Sequence, residues 1–230
     1  MTIAKRINIE KILIEEYIKI EKEYAVLGFS DGNDVVIPGI IQFVEWSKSH
    51  PGVALKGKIK PIAGYEDTIR LFKQLILRIG YIGIFDIDFV SSGDKIYFVE
   101  LNLRIGGSAY AVSKMGCNLP AMMVKYMSGE SISEMNKTVT ATATYANERM
   151  CIDDWFHGYI SKKEYQNALS SSDIRFIPDA EDVQPEIYNR EFRQKAIKRT
   201  IKNILNFFFH HQEKDMVTIN TTKRCKLLPG

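Results

Sequence analysis

No apolar run in this sequence is long enough to span a membrane, and the N-terminus lacks the charged, apolar and small-residue regions of a signal peptide. There is no G-x-x-x-x-G-K-[ST] loop and no G-x-G-x-x-G, so neither common glycine-rich phosphate cradle is encoded. Cysteine is scarce: Cys117, Cys151 and Cys225 are scattered, with no C-x-x-C spacing. An odd, dispersed set predicts reduced thiols and a cytoplasmic protein rather than a disulfide framework or a zinc site. Charge of one sign is also scarce. The formal net charge of +3 is too small to argue for nucleic acid, and no membrane partner is expected. Neither an internal repeat nor a long low-complexity linker interrupts the 230 residues, which suffice for one sizeable core or two small domains.

What is present centres on Ile84 to Gly107, IFDIDFVSSGDKIYFVELNLRIGG. It reads as two strands joined by a turn at Ser91–Lys95. Alternation puts Asp86 and Asp88 on one face of the first strand. In the second strand it puts Ile96, Phe98, Glu100 and Asn102 together, with Tyr97, Val99 and Leu101 on the other side. A carboxylate on a half-buried strand is costly unless paired, and a divalent cation with oxygen ligands is one partner. Mg2+ takes one or two carboxylates and completes its shell with phosphate and water. Arg104 and the Gly106-Gly107-Ser108 turn beside these oxygens suit a phosphorylated ligand. Solvated strand ends are the plainer reading of any one of these acidic residues. Two acidic elements on adjacent strands, followed by Arg and Gly-Gly, are harder to read that way.

Around this hairpin the chain reads as follows. Ile12-Leu13-Ile14 is an apolar strand run. Glu23 to Phe29 is a strand, Asp31-Gly32-Asn33 a turn, and Asp34 to Ile41 a further strand. Residues 46 to 65 read as a loop region in which Lys56, Lys58 and Lys60 alternate, either as a solvated edge or as a cationic strand. Residues 66 to 79 form the clearest helix, with Ile69, Phe72, Ile76 and Ile79 at helical spacing, Glu66 and Asp67 at its start and Gly80 at its end. A helix runs from Ser108 to Met115 and restarts at Leu119-Pro120. Thr138 to Tyr145 reads as a strand, Ser161 to Leu169 as a helix opened by a capping box with Glu164, and Asp173 to Pro178 as a short strand. Arg190 to Phe209 is a long amphipathic helix with a basic, solvated face, and a polar tail follows from His210. His157, near Trp155, reads more readily as structural than as catalytic.

The stretch Asp86-Ile87-Asp88-Phe89 … Glu100-Leu101-Asn102-Leu103-Arg104 resembles the metal-binding half of the ATP-grasp fold, whose second strand usually ends E-[ILM]-N-P-R. Leu103 stands where that pattern has proline. EEYIKIEKEY, residues 15 to 24, is similar to the version in carbamoyl-phosphate synthetase large chains. The resemblance implies an α+β, ATP-grasp-like fold with a mainly antiparallel sheet and packed helices, from which the N-terminal part is absent. Residues 1–135 would be the C-terminal part of an ATP-grasp domain and 136–230 a C-terminal extension.

For the site, the resemblance implies that Glu100 and Asn102 bind Mg2+, with Asp88 as a further ligand and Asp86 a weaker candidate. Arg104 would contact phosphates or an acyl phosphate. The backbone of Glu16, Tyr17 and Ile18 would bind adenine, and Glu23 the ribose hydroxyls. If the alternating lysines form a cationic strand rather than a solvated edge, Lys58 would face the triphosphate. The function implied is an ATP- and Mg-dependent ligase that activates a carboxylate and passes it to an amine. The chain would be a fragment of the full enzyme, or a second copy or a partner chain would supply the missing subdomain. The alternatives are a non-catalytic nucleotide-binding or regulatory module, or an α+β interaction domain with a solvated acidic hairpin.

Overall fold

The computed structural model describes residues 15–135 and 137–177, and in the C-terminal part 182–184, 187–188, 190–192, 194–195, 197–199 and 201–202. The expected strand run at Ile12-Leu13-Ile14 and the tail from His210 lie outside them. The chain divides into two compact units, residues 1–44 with 57–143, and residues 45–56 with 144–230. The segment 45–56 therefore groups with the C-terminal residues.

In the first unit, β1 (Lys22–Ser30) turns at Asp31, whose side chain accepts the amides of Asn33 and Asp34 at 2.8 and 2.7 Å. The strand expected over Asp34–Ile41 divides in two. β2 (Val35–Val36) pairs with the end of β1, and β3 (Ile40–Trp46) with its start. Pro38, which has no N–H to give a ladder, lies in the break. After β4 (Ala54–Lys60) comes α1 (Glu66–Arg78), then β5 (Gly83–Ser92) and β6 (Lys95–Asn102). β5 and β6 are joined by Gly93-Asp94, with Gly93 at φ 57, the backbone required of the first central residue in a type II′ turn. The strand order is β6–β5–β1–β3–β4, antiparallel where β1 meets β3 and β5, and where β5 meets β6.

The core of this unit lies on one face of the sheet. Tyr24 and Val26 of β1, Ile40 of β3, and Phe85, Ile87 and Phe89 of β5 pack with Ile69, Phe72 and Ile76 of α1. Those three helix positions recur at i, i+3 and i+7, so they form the apolar stripe that the sequence pattern predicts. Glu66 and Asp67 occupy the first turn, where they favour the positive end of the helix dipole. After the hairpin come α2 (Ala109–Lys114) and α3 (Leu119–Met127), and α3 packs on the opposite face, against β1 and β5. There Tyr126 meets Phe29 edge-on at 5.6 Å and donates to the Asp31 carbonyl at 3.2 Å.

In the second unit, β7 (Ala143–Ala146) is shorter than the strand expected over Thr138–Tyr145. It pairs in parallel with β8 (Ile174–Arg175). Between them α4 (Glu148–Phe156) forms where the sequence shows only a polar stretch, and Asn147 caps it. α5 (Lys162–Ser170) carries the expected capping box, with both Ser161–Glu164 hydrogen bonds made. Leu55, Cys151, Ile152, Ile160, Tyr165 and Ala168 form this unit's core. The described residues of 190–202 are helical.

Candidate functional site

Register decides which side chains meet. Asp88 is paired with Glu100, and Asp86 with Asn102, across β5 and β6. On its other side β5 pairs Asp88 with Ala25 and Asp86 with Leu27. Val26 and Ile87, the alternate residues, point into the α1 core. Asp86, Asp88, Glu100 and Asn102 therefore occupy the face away from α1, in two cross-strand pairs. Glu23, two residues before Ala25, lies on the same face.

One part of the alternation differs from expectation. A register shift between Asp88 and Phe89 places Phe98 opposite Phe89, although Glu100 is opposite Asp88. A bulge at Val99 thus inverts the strand, and Ile96 and Phe98 do not share the face of Glu100 and Asn102. The bulge re-aims the end of β6 so that Glu100 and Asn102 join the β5 aspartates. An alternating pattern carries no mark of one extra residue.

The electrostatics are those of a crowded anionic face. Burial pushes the Asp86 carboxyl up to about 7, with the Asp88 charge adding to it, Arg104 opposing and Glu100 adding. Asp88 is pushed up to about 6, by burial first, then by the charge and hydrogen bond of Glu100, against Arg104, with Glu23 adding. Asp86 Oδ1 is buried with no hydrogen-bond partner. The Asn102 amide nitrogen donates to Glu100 Oε1 at 2.7 Å, which leaves its own oxygen for another partner. Among the described residues no three His, Cys, Asp or Glu side chains gather in a way that could hold a metal ion. Two carboxylates and an amide oxygen, next to an unsatisfied third carboxylate, fit a hydrated Mg2+ that brings its own phosphate oxygens.

Gly106 closes the site from the side of the turn. A methyl group there would fall on the Asp86 carboxylate and lie 3.0 Å from Leu27 Cδ2, whereas one at Gly107 would meet nothing within 4 Å. Gly106→Ala is therefore expected to destabilise the protein by about 1–3 kcal/mol, as overpacking does. Gly107→Ala should be near neutral. Urea unfolding of the two variants side by side checks this, and equal stabilities would refute the close approach. Arg104 follows the strand and donates from Nη1 to its neighbour's carbonyl, that of Ile105, at 3.2 Å.

The other expected site residues are placed differently. Glu16, Tyr17 and Ile18 precede β1 without regular structure. Tyr17 is 88% exposed, and Glu16 is exposed as well. The strand register that gathers Glu23, Asp88 and Glu100 does not extend to them. Lys58 does not join the acidic face. Lys60, two residues on, donates to Gln42 at 2.9 Å and lies over the rings of Tyr24 and Tyr65, on the α1 side. By alternation Lys58 shares that side, with the sheet between it and the carboxylates. His157 ends α4, with Nδ1 2.7 Å from the Asp153 carbonyl and its ring stacked on Tyr159, a local structural role.

Residues 3–108 match the family model of the ATP-grasp domain. The chain is 29% identical over 136 residues to the carbamoyl phosphate synthase large chain of Pseudomonas putida, covering 57% of this chain and 13% of that protein. It is 31% identical over 133 residues to that of Clostridium perfringens, covering 54% of this chain and 12% of that protein. It thus spans about an eighth of the length of these relatives. A biotin carboxylase–β,γ-ATP complex from Campylobacter jejuni matches 56% of this chain and 30% of its own, at 21% identity and a TM-score of 0.46.

Proposed function

Residues 3–108 being an ATP-grasp segment that resembles carbamoyl phosphate synthase, we propose that the chain supplies the metal- and phosphate-binding half of an ATP-dependent ligase. The observation that carries this reading is the single sheet face on which Glu23, Asp88, Glu100 and Asn102 meet, beside Arg104 and the Gly106 turn. In this reading Asp88, Glu100 and Asn102 would hold Mg2+, which would supply positive charge to offset that on the phosphoryl group in transfer.

The chain's own groups do the rest. Arg104 offers a planar fork of donors to a phosphate or acyl phosphate. Glu23 accepts from ribose hydroxyls, and the backbone of Glu16–Ile18 reads the adenine edge. The γ-phosphate passes to a carboxylate or bicarbonate oxygen with release of ADP. An amine then attacks the acyl carbon and phosphate leaves. The substrate-binding part and the subdomain that covers the phosphates come from other segments of a longer protein or from a partner chain.

ADP release from Mg-ATP, measured with bicarbonate or small carboxylates and an amine, tests the ligase reading. Carboxylate-dependent ADP release supports it. Tight Mg-ATP binding with no release under any of these conditions would leave a nucleotide-binding module instead.

A further inference from the structure

The net charge of +3 conceals an uneven distribution. The thirteen residues from Arg190 to Lys202 hold six Lys or Arg and one acid, Glu191, and so carry +5, which leaves −2 for the rest of the chain. Lys195, Lys198, Arg199 and Lys202 recur at i, i+3, i+4 and i+7, one stripe of a helix, and all four are exposed. Glu191 reaches Lys195 at 4.0 Å. Among the described residues Lys198, Arg199 and Lys202 have no acidic partner. On the other side of the helix Ile197 and Ile201, one turn apart, are 45% and 52% exposed, and Tyr188 is 60% exposed.

An ordinary solvated helix mixes charges of both signs and keeps isoleucine inward. This one exposes concentrated positive charge on one face and an apolar pair on the other, the division of an interfacial helix. A polynucleotide would neutralise the basic stripe but has no use for the isoleucines. The headgroup region of an anionic bilayer takes both, with cations at the phosphates and branched side chains at the acyl boundary. No described helix is long and apolar enough to cross a membrane, so any such contact is in the plane of the surface.

We propose that the helical residues described between Arg190 and Lys202 dock on an anionic lipid surface, with Lys195, Lys198, Arg199 and Lys202 on the headgroups and Ile197 and Ile201 at the acyl boundary. The expectation of no membrane partner rested on spanning segments and on net charge, neither of which sees a charged stripe.

Co-sedimentation of the full chain with phosphatidylcholine vesicles, with and without phosphatidylglycerol, tests the proposal. Binding should require phosphatidylglycerol and weaken with salt. Replacing Lys198, Arg199 and Lys202 together by Gln should weaken it on the order of a hundredfold, at roughly fivefold for each basic residue near a charged bilayer. The pair Ile197→Gln and Ile201→Gln should weaken it about tenfold or more, by removing apolar area from the interface. Circular dichroism of both variants should match the parent, since the substituted side chains are exposed. No binding to phosphatidylglycerol vesicles would overturn the proposal. So would vesicle binding indifferent to the isoleucine pair, alongside equal binding to a single-stranded polynucleotide, because that describes a simple polyanion contact.

Discussion

Asp86→Asn is expected to stabilise the metal-free protein near pH 8 by on the order of 2–4 kcal/mol, with little effect near pH 4. The cause is a carboxyl group that burial and the neighbouring Asp88 charge push from 3.8 up to about 7. The sign follows from proton counting. Between about pH 4 and pH 7 the folded chain holds a proton at Asp86 that the unfolded chain has lost. Stability therefore falls as pH rises through that window and levels off above it. Each tenfold weakening of the acid corresponds to about 1.4 kcal/mol, and sharing of charge with Asp88 and Glu100 lowers the total. The amide cannot ionise, so it removes this part of the slope and leaves the smaller part due to Asp88. Urea unfolding of both proteins across that pH range reads the effect. An Asp86→Asn protein that loses as much stability on alkalinisation as the parent would show that Asp86 ionises at no cost in the fold.

The second large effect belongs to the other unit, where Asp154 is 1% exposed. Its carboxylate accepts from the Ser47 hydroxyl at 2.9 Å, the Lys48 amide at 2.9 Å, the Ser49 amide at 2.8 Å and the Ser49 hydroxyl at 2.5 Å. Burial alone would raise its pKa. The hydroxyls and amides of the Ser47–Ser49 loop outweigh that and hold it below the usual range. Asp154→Ala would leave the loop donors without their acceptor and should cost about 3–5 kcal/mol, since hydrogen bonds to a buried charge are the strong ones. Asp154→Asn should cost less, because one oxygen still accepts. Thermal unfolding of the two variants tests the ranking. A loss under about 1 kcal/mol for the alanine variant would mean that water replaces the carboxylate, and that the loop does not depend on it.

These two aspartates also show how far the sequence could be read. Alternation, the turn residues and the resemblance to the ATP-grasp pattern were enough for the hairpin, the α1 stripe and the neighbouring strand positions of Asp88, Glu100 and Asn102. Each is a local signal, carried within ten or twenty residues. The role of Asp154 depends on a loop more than a hundred residues away in the chain, and α4 is a short helix whose apolar positions do not form a clean stripe. The bulge at Val99 left no trace in an apolar run, yet it turns Glu100 and Asn102 to the face of Asp88. Lys58 failed for a related reason. Strand periodicity showed that Lys56, Lys58 and Lys60 share a side, but only the pairing of β3 and β4 with the rest of the sheet fixes which side. The split of the third strand was nearer to hand, since Pro38 is visible in the sequence.

If Asp88, Glu100 and Asn102 form the proposed Mg-ATP site rather than a solvated acidic edge, calorimetric titration of Mg-ATP into the parent, Glu100→Gln and Asn102→Ala will distinguish the proteins. The parent should bind in a manner that depends on both metal and nucleotide, with affinity losses on the order of 1–3 kcal/mol for Glu100→Gln, as for a lost charge-assisted contact. Asn102→Ala should lose affinity in the same direction. Equal affinities across the three proteins would contradict the proposed site.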